Sequence, residues 1–200
     1  MDKKLPIYKM LVGEDQDEAI GMYTISLVDQ PAVEVMWQAF DKQEEPIKFA
    51  IQDEDEHKIL GVVCRADFPI YRRDKDGTEY FVVFPRETIY AMAQKFLKNG
   101  FQELVNLQHL EDGYVNGVEL TQIFIKDTDK GVNPKGFEHV ENGSLFAEYK
   151  VENEEVWKAI KQGIFRGFSL EGFFDYERVF EKKPNVLDSI EELLDYINKN

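Results

Sequence analysis

The chain has 200 residues, enough for one domain, or one domain with an appendage, around a substantial core. Hydrophobic residues make up 43%, with 15 Phe and 9 Tyr, which excludes global disorder. The formal net charge of −15 repels a phosphate backbone, so nucleic acid is not an expected partner. Cys64 is the only cysteine, so no intramolecular disulfide or thiolate cluster can form. It lies in an apolar run, where a buried structural thiol is expected. There is no run of about 18 apolar residues to span a membrane, and no apolar signal-peptide core follows Met1-Asp2-Lys3-Lys4. A reducing cytoplasm is the expected compartment.

The first third of the chain reads as strands over residues 7–12, 21–28, 35–40, 47–52 and 59–64. Acidic or Gly/Pro-bearing turns separate them. Asp74-Lys75-Asp76-Gly77 is a hairpin signal before an apolar strand over 80–84. Ile89, Met92, Ala93, Phe96 and Leu97 recur at helical spacing, and Asn99-Gly100 closes that helix. Residues 104–110 and 118–125 read as the next two strands, and 127–136 as a polar loop. Residues 145–151 alternate as a half-buried strand does. Asn153 then caps a second helix whose apolar stripe is Val156, Trp157, Ile160 and Ile164. A strand over 173–180 follows, and an acidic amphipathic helix over 187–197 ends the chain. This pattern predicts an α+β fold, a mostly antiparallel sheet or barrel with helices outside. The domain is expected over 1–181, with 182–200 as an acidic helical appendage.

Between the second helix and the strand after it stands Gly167-Phe168-Ser169-Leu170-Glu171-Gly172. A serine becomes nucleophilic when it is exposed at a fixed angle beside a base. The flanking glycines predict a tight turn that lets a substrate carbonyl approach main-chain N–H groups. The spacing differs from the Gly-x-Ser-x-Gly elbow of α/β-hydrolases. Of the three histidines, His57 sits in a charged turn and His139 in a loop. His109 ends an apolar strand, where an imidazole can be half-buried and oriented. A serine in an ordinary turn and a histidine bonded to backbone are the alternative readings. His109, Glu111 and Asp112 lack a second histidine at metal-ligand spacing, and there is no phosphate-binding or dinucleotide motif. Neither a metal nor another cofactor is expected.

Five segments in chain order carry a resemblance. They are Ile25-Ser26-Leu27-Val28-Asp29-Gln30-Pro31-Ala32, Pro69-Ile70-Tyr71-Arg72, residues 80–84, Asn106-Leu107-Gln108-His109, and residues 155–163 running into Gly167-Phe168-Ser169-Leu170-Glu171-Gly172. Over about residues 20–175 the chain resembles phage serine proteases of the XkdF type, relatives of tailed-phage prohead proteases. The resemblance implies a herpesvirus-assemblin-like fold, a mostly antiparallel barrel ringed by helices. It implies an endopeptidase that cleaves scaffold and major capsid proteins, and often itself, inside the immature head in the infected bacterium. A homodimer or higher oligomer fits such enzymes. A catalytically inactive capsid-assembly or scaffold protein on the same fold is the alternative.

By motif position, the resemblance makes Ser169 the nucleophile and His109 the general base. The oxyanion would be held at the turn formed by Gly167, Phe168, Leu170 and Gly172. Related prohead proteases carry a Glu-x-Ser-Leu-Val-x-x-Pro-Ala strand late in the chain, whose Glu orients the base. Here a similar strand lies early, which implies a circularly permuted order. Its Glu position falls on Thr24, which is not an acid. Thr24, Asp29 and Glu148 are the candidates for the third member, or the dyad acts alone.

Overall fold

The computed structural model describes residues 5–12, 21–31, 47–74 and 76–179. Strands β1 (Ile7–Leu11), β2 (Gly21–Val28), β3 (Ala50–Asp53), β4 (Lys58–Cys64), β5 (Ile70–Arg73) and β6 (Glu79–Val83) precede helix α1 (Arg86–Lys98). Then come β7 (Val105–Leu107), β8 (Val118–Ile125), β9 (Leu145–Val151), helix α2 (Glu154–Lys161), β10 (Gly167–Phe173) and β11 (Asp175–Val179). These strands form three sheets, ordered β11-β1-β6-β5, β10-β2-β7 and β3-β4-β9-β8. Strand pairing is antiparallel except for β1 with β6 and β2 with β7.

The α+β class is as the sequence predicts, but among the described residues the sheets are open and no closed barrel is formed. The chain changes sheets at Phe174. Strand β10 pairs with β2, whereas β11 pairs with β1. Phe174 turns its ring edge-on to Phe84, with centroids 5.2 Å apart, and packs against the core. The single strand expected over 173–180 is therefore two strands, and the first begins six residues earlier than expected. The strand expected over 104–110 stops at Leu107, because Gln108 and His109 take positive φ. The segment expected as a strand over 35–40 and the acidic helix over 187–197 lie outside the described residues.

Helix α1 forms where the apolar spacing predicts it and buries Ile89, Met92, Ala93 and Phe96. It lies against β2, and its ladder ends at Asn99 and Gly100, the latter at φ 74°. Leu97 falls outside the buried stripe and is exposed. Helix α2 is capped by the Asn153 side chain, which accepts from the N–H groups of Glu155 and Val156. That satisfies two of the donors every helix start leaves orphaned. Val156, Trp157 and Ile160 are buried, whereas Ile164 lies past the helix and is half exposed.

Strand β10 is held to the core by one residue in particular. Phe168 is 2% exposed and packs its ring against Phe49 (5.4 Å) and Tyr149 (5.3 Å). Burying such a ring contributes about 1.5–3 kcal/mol. Gly61 on β4 makes that approach possible. A Cβ there would stand 2.8 Å from the Phe49 Cβ and 3.0 Å from the Phe168 ring. Gly61→Ala is therefore expected to overpack the contact between β4 and β10 and to destabilise the fold by about 1–3 kcal/mol. Urea unfolding beside the wild type measures this, and an unchanged midpoint would show that the two strands separate freely.

Candidate active site

Strand β10 alternates, as any extended chain does, between two faces. Phe168 and Leu170 pack toward the core, so Ser169 and Glu171 share the opposite face. The register with β2 pairs Ser169 with Ser26 and Glu171 with Thr24. On the other side of β2, Ser26 pairs with Asn106 of β7. Residues paired across a ladder point the same way. One face of this sheet therefore carries Ser169, Ser26 and Asn106 in one row, with Glu171 and Thr24 beside it. Ser26 and Thr24 are fully buried, Asn106 is 2% exposed and Ser169 7%.

Thus Ser169 lies in a strand, not in the turn expected from its glycines. Gly167, Phe168, Leu170 and Gly172 belong to the same strand, and neither glycine has positive φ. The glycines are needed for space instead. A Cβ on Gly167 would stand 2.3 Å from Pro31 Cγ, and one on Gly172 2.4 Å from the Gly21 carbonyl oxygen. Close packing of β10 on β2 and its flanks, not turn geometry, sets these positions.

His109 reaches the same face from a tight turn. The N–H of Leu110 donates to the Leu107 carbonyl at 3.2 Å, with Gln108 at φ 58° and His109 at φ 56° between them. Positive φ at both central residues is the pattern of a type I′ turn, which Asn-Gly makes most easily. For residues with side chains it costs about 1–2 kcal/mol each. The surroundings offset that strain. Gln108 N–H donates to Leu27 O at 3.0 Å, and its side-chain Oε1 accepts from Asp29 N–H at 3.2 Å. Asn106 Nδ2 donates to Leu110 O at 2.7 Å, and Leu107 N–H to Gly113 O at 2.8 Å. The turn presents the imidazole so that Nδ1 stands 2.7 Å from Glu171 Oε1, with the ring 38% exposed.

Glu171 is the centre of the constellation. Its Oε1 also accepts from the Ser26 hydroxyl at 2.6 Å, and its Oε2 from the Tyr23 hydroxyl at 3.4 Å. Burial by itself would push this carboxyl up. Hydrogen bonds from Ser26 and His109, the charge of His109 and the Tyr23 hydroxyl outweigh it and hold the group below the usual glutamate value. Burial, together with the charge of Glu171 and the hydrogen bond to it, raises the Tyr23 phenol.

The side chains expected to orient His109 have other partners or face away. The Thr24 hydroxyl donates to the Leu104 carbonyl. Asp29 is exposed and meets the histidine turn only through its backbone. Glu148 accepts from Thr121 and Gln122 on β8, in another sheet. The acid that touches His109 is Glu171, directly across the ladder from Thr24. Period-two alternation through Phe168-Ser169-Leu170-Glu171 is the signal that could have found it. The other histidines lie apart. His57 stacks on Trp157 at 4.4 Å with Nδ1 3.1 Å from Val151 O, and is not free in a charged turn, while His139 is exposed. Cys64 is buried, and burial pushes its thiol up, away from thiolate chemistry. Among the described residues, no three His, Cys, Asp or Glu side chains are grouped to hold a metal ion.

The arrangement holds a serine, a histidine and a carboxylate on one sheet face, with the carboxylate bonded to Nδ1 and Nε2 left for another partner. That is the division of labour of serine hydrolases. Among the described residues, however, the Ser169 hydroxyl makes no hydrogen bond. The family described as "Putative phage serine protease XkdF" matches residues 46–177, and the chain belongs to that family. Comparison with curated proteins and with solved structures returned no match.

Two outcomes follow from this geometry. Because the native carboxyl of Glu171 is held down, its contribution to stability is present above the ordinary glutamate pKa and is lost as pH falls through the native value. Wild type is expected to exceed Glu171→Gln in stability near neutral pH, the gap closing on acidification below about 4. Urea unfolding across that range reads the difference, and a gap independent of pH would contradict the assigned pairing. Gly113→Ala is expected to disturb the histidine turn, since a Cβ there would stand 2.7 Å from Leu107 O and 3.0 Å from Asn106 Oδ1. Faster amide exchange at Leu107 and Leu110 than elsewhere in the sheets would report it.

Proposed function

We propose that this protein is a serine endopeptidase in which Ser169 is the nucleophile, His109 the general base and Glu171 the residue that orients the base. The observation that carries the reading is the 2.7 Å contact between His109 Nδ1 and Glu171 Oε1 on the face that bears Ser169. Residues two apart on a strand stand about 6.6 Å apart, so one imidazole can serve both a carboxylate and a hydroxyl on that face. Glu171 fixes the ring with its Nδ1 proton toward the carboxylate, which leaves Nε2 to accept a proton. As the Ser169 hydroxyl attacks a scissile carbonyl, His109 takes its proton and later gives it to the leaving amine. In this reading main-chain N–H groups around Gly167, Phe168, Leu170 and Gly172 hold the oxyanion. Catalytic hydrogen bonds are often long in resting enzymes and tighten with substrate, which fits the unbonded Ser169 hydroxyl.

In this reading the chain is a prohead maturation protease. It acts on phage scaffold and major capsid proteins, and on itself, inside the immature head, and works as a homodimer or higher oligomer. Membership of the phage serine protease family supports this. The carboxylate facing Thr24 also supports a common ancestry with enzymes whose acid sits on the β2-like strand. An assemblin-like, circularly permuted origin accounts for both. The alternative, an inactive capsid-assembly protein on the same fold, is favoured by two observations: Ser169 is 7% exposed and its hydroxyl is not bonded to His109.

A fluorophosphonate separates the two. The wild type is expected to take one adduct, mapped to Ser169 by mass, and Ser169→Ala none. His109→Ala should label at least about 100-fold more slowly, the usual contribution of a positioned base. A wild type that takes no adduct, even at high protein concentration, would favour the assembly protein.

A further inference from the structure

We infer that Ser26 and Tyr23 are positioning residues that lock the Glu171 carboxylate, one on each oxygen, so that it presents Oε1 to His109. The inference rests on the serine protease reading above and goes beyond its three residues. Three features of the fold build the lock.

Ser26 is fully buried on β2, directly opposite Ser169, and its hydroxyl lies 2.6 Å from Glu171 Oε1. That is the same oxygen His109 meets at 2.7 Å. A buried hydroxyl has few alternatives to its partner, so this bond holds the carboxylate in place. The second feature is a bulge. The β2–β10 register runs Glu171 with Thr24 and then Gly172 with Met22, which leaves Tyr23 as the extra residue. A bulge re-aims a side chain that regular alternation would send to the other face. Tyr23 thereby brings its hydroxyl to Glu171 Oε2 at 3.4 Å, its ring supported by Phe173 at 5.6 Å. The third feature is the strand itself. Glu171 lies on a half-buried ladder, and without donors on both oxygens its flexible side chain would turn toward water.

Neither residue touches the reacting atoms in this scheme. Ser26 lies beside Ser169 yet spends its proton on Glu171, which assigns the two serines of this row different tasks. A serine committed to a carboxylate supports the base, and the serine without such a partner is free to react.

The test uses fluorophosphonate labelling of Ser169 together with the tautomer of His109, read from ¹⁵N shifts of labelled histidine at a pH where the ring is neutral. Wild type is expected to hold the Nδ1-protonated tautomer. Ser26→Ala is expected to label about tenfold more slowly, as loss of one hydrogen bond to a charged group allows, and to show a mixture of tautomers. Ser26→Thr, which keeps the hydroxyl, should recover most of the rate. Tyr23→Phe keeps the ring, leaves the core untouched and should slow labelling about two- to threefold, in keeping with its longer contact. A purely structural role for Ser26 would slow labelling without changing the tautomer, and that result would overturn the lock. So would wild-type labelling in Tyr23→Phe, whether or not Ser26→Ala folds. A wild type that takes no adduct fails earlier and removes the protease reading itself.

Discussion

The antiparallel ladder between β2 and β10 is the constraint on which the rest of the site depends. It places Ser169 opposite Ser26 and Glu171 opposite Thr24, and it turns all four side chains to one face. The register cannot slip by one residue. A slip would bury Ser169 and Glu171 among Phe49, Tyr149 and the core, and would send Phe168 into a polar row. Packing on one face of β10 thus fixes the chemistry on the other. The close approaches at Gly61, Gly167 and Gly172 serve that ladder, since each leaves room for a neighbour that a Cβ would displace.

The second constraint is the turn that carries His109. Two successive side-chain-bearing residues at positive φ are costly, and a cheaper Asn-Gly turn would have had no imidazole. Strain of this kind persists where the surroundings over-determine it, and here hydrogen bonds to the Leu27 and Gly113 carbonyls and from Asp29 and Asn106 do so. One of the two, His109, is also the residue aimed at Glu171. Local cost and functional placement therefore coincide at one position, with the parallel pairing of β2 and β7 bringing the turn alongside.

Electrostatics at the site follow from these two placements. A half-buried carboxyl would ordinarily be pushed toward its neutral form, yet donors on both oxygens and the neighbouring imidazole keep Glu171 ionised more readily than usual. The carboxylate stands directly across the ladder from Thr24. Opposite members of a ladder pair have Cβ atoms only about 5 Å apart, so an acid on either strand at this pair lies near the same imidazole.

How much of this could be read from the sequence depends on whether the deciding interaction is local. The spans of β2, β8 and β9 are those expected over residues 21–28, 118–125 and 145–151, and Asn153 caps α2 as its position suggests. These depend on neighbours a few residues away. Ser169 and His109 were also legible as candidates, through motif and family resemblance. Glu171 was not, although it stands two residues after Ser169, because the glycines around it suggested a turn and a turn has no faces. Only the tertiary structure decided that Gly167 and Gly172 make room for Pro31, Gly21 and Phe174, that residues 108 and 109 leave the strand, and that Glu171 meets His109. Those outcomes depend on contacts between segments tens of residues apart, whose cost and benefit no local pattern records.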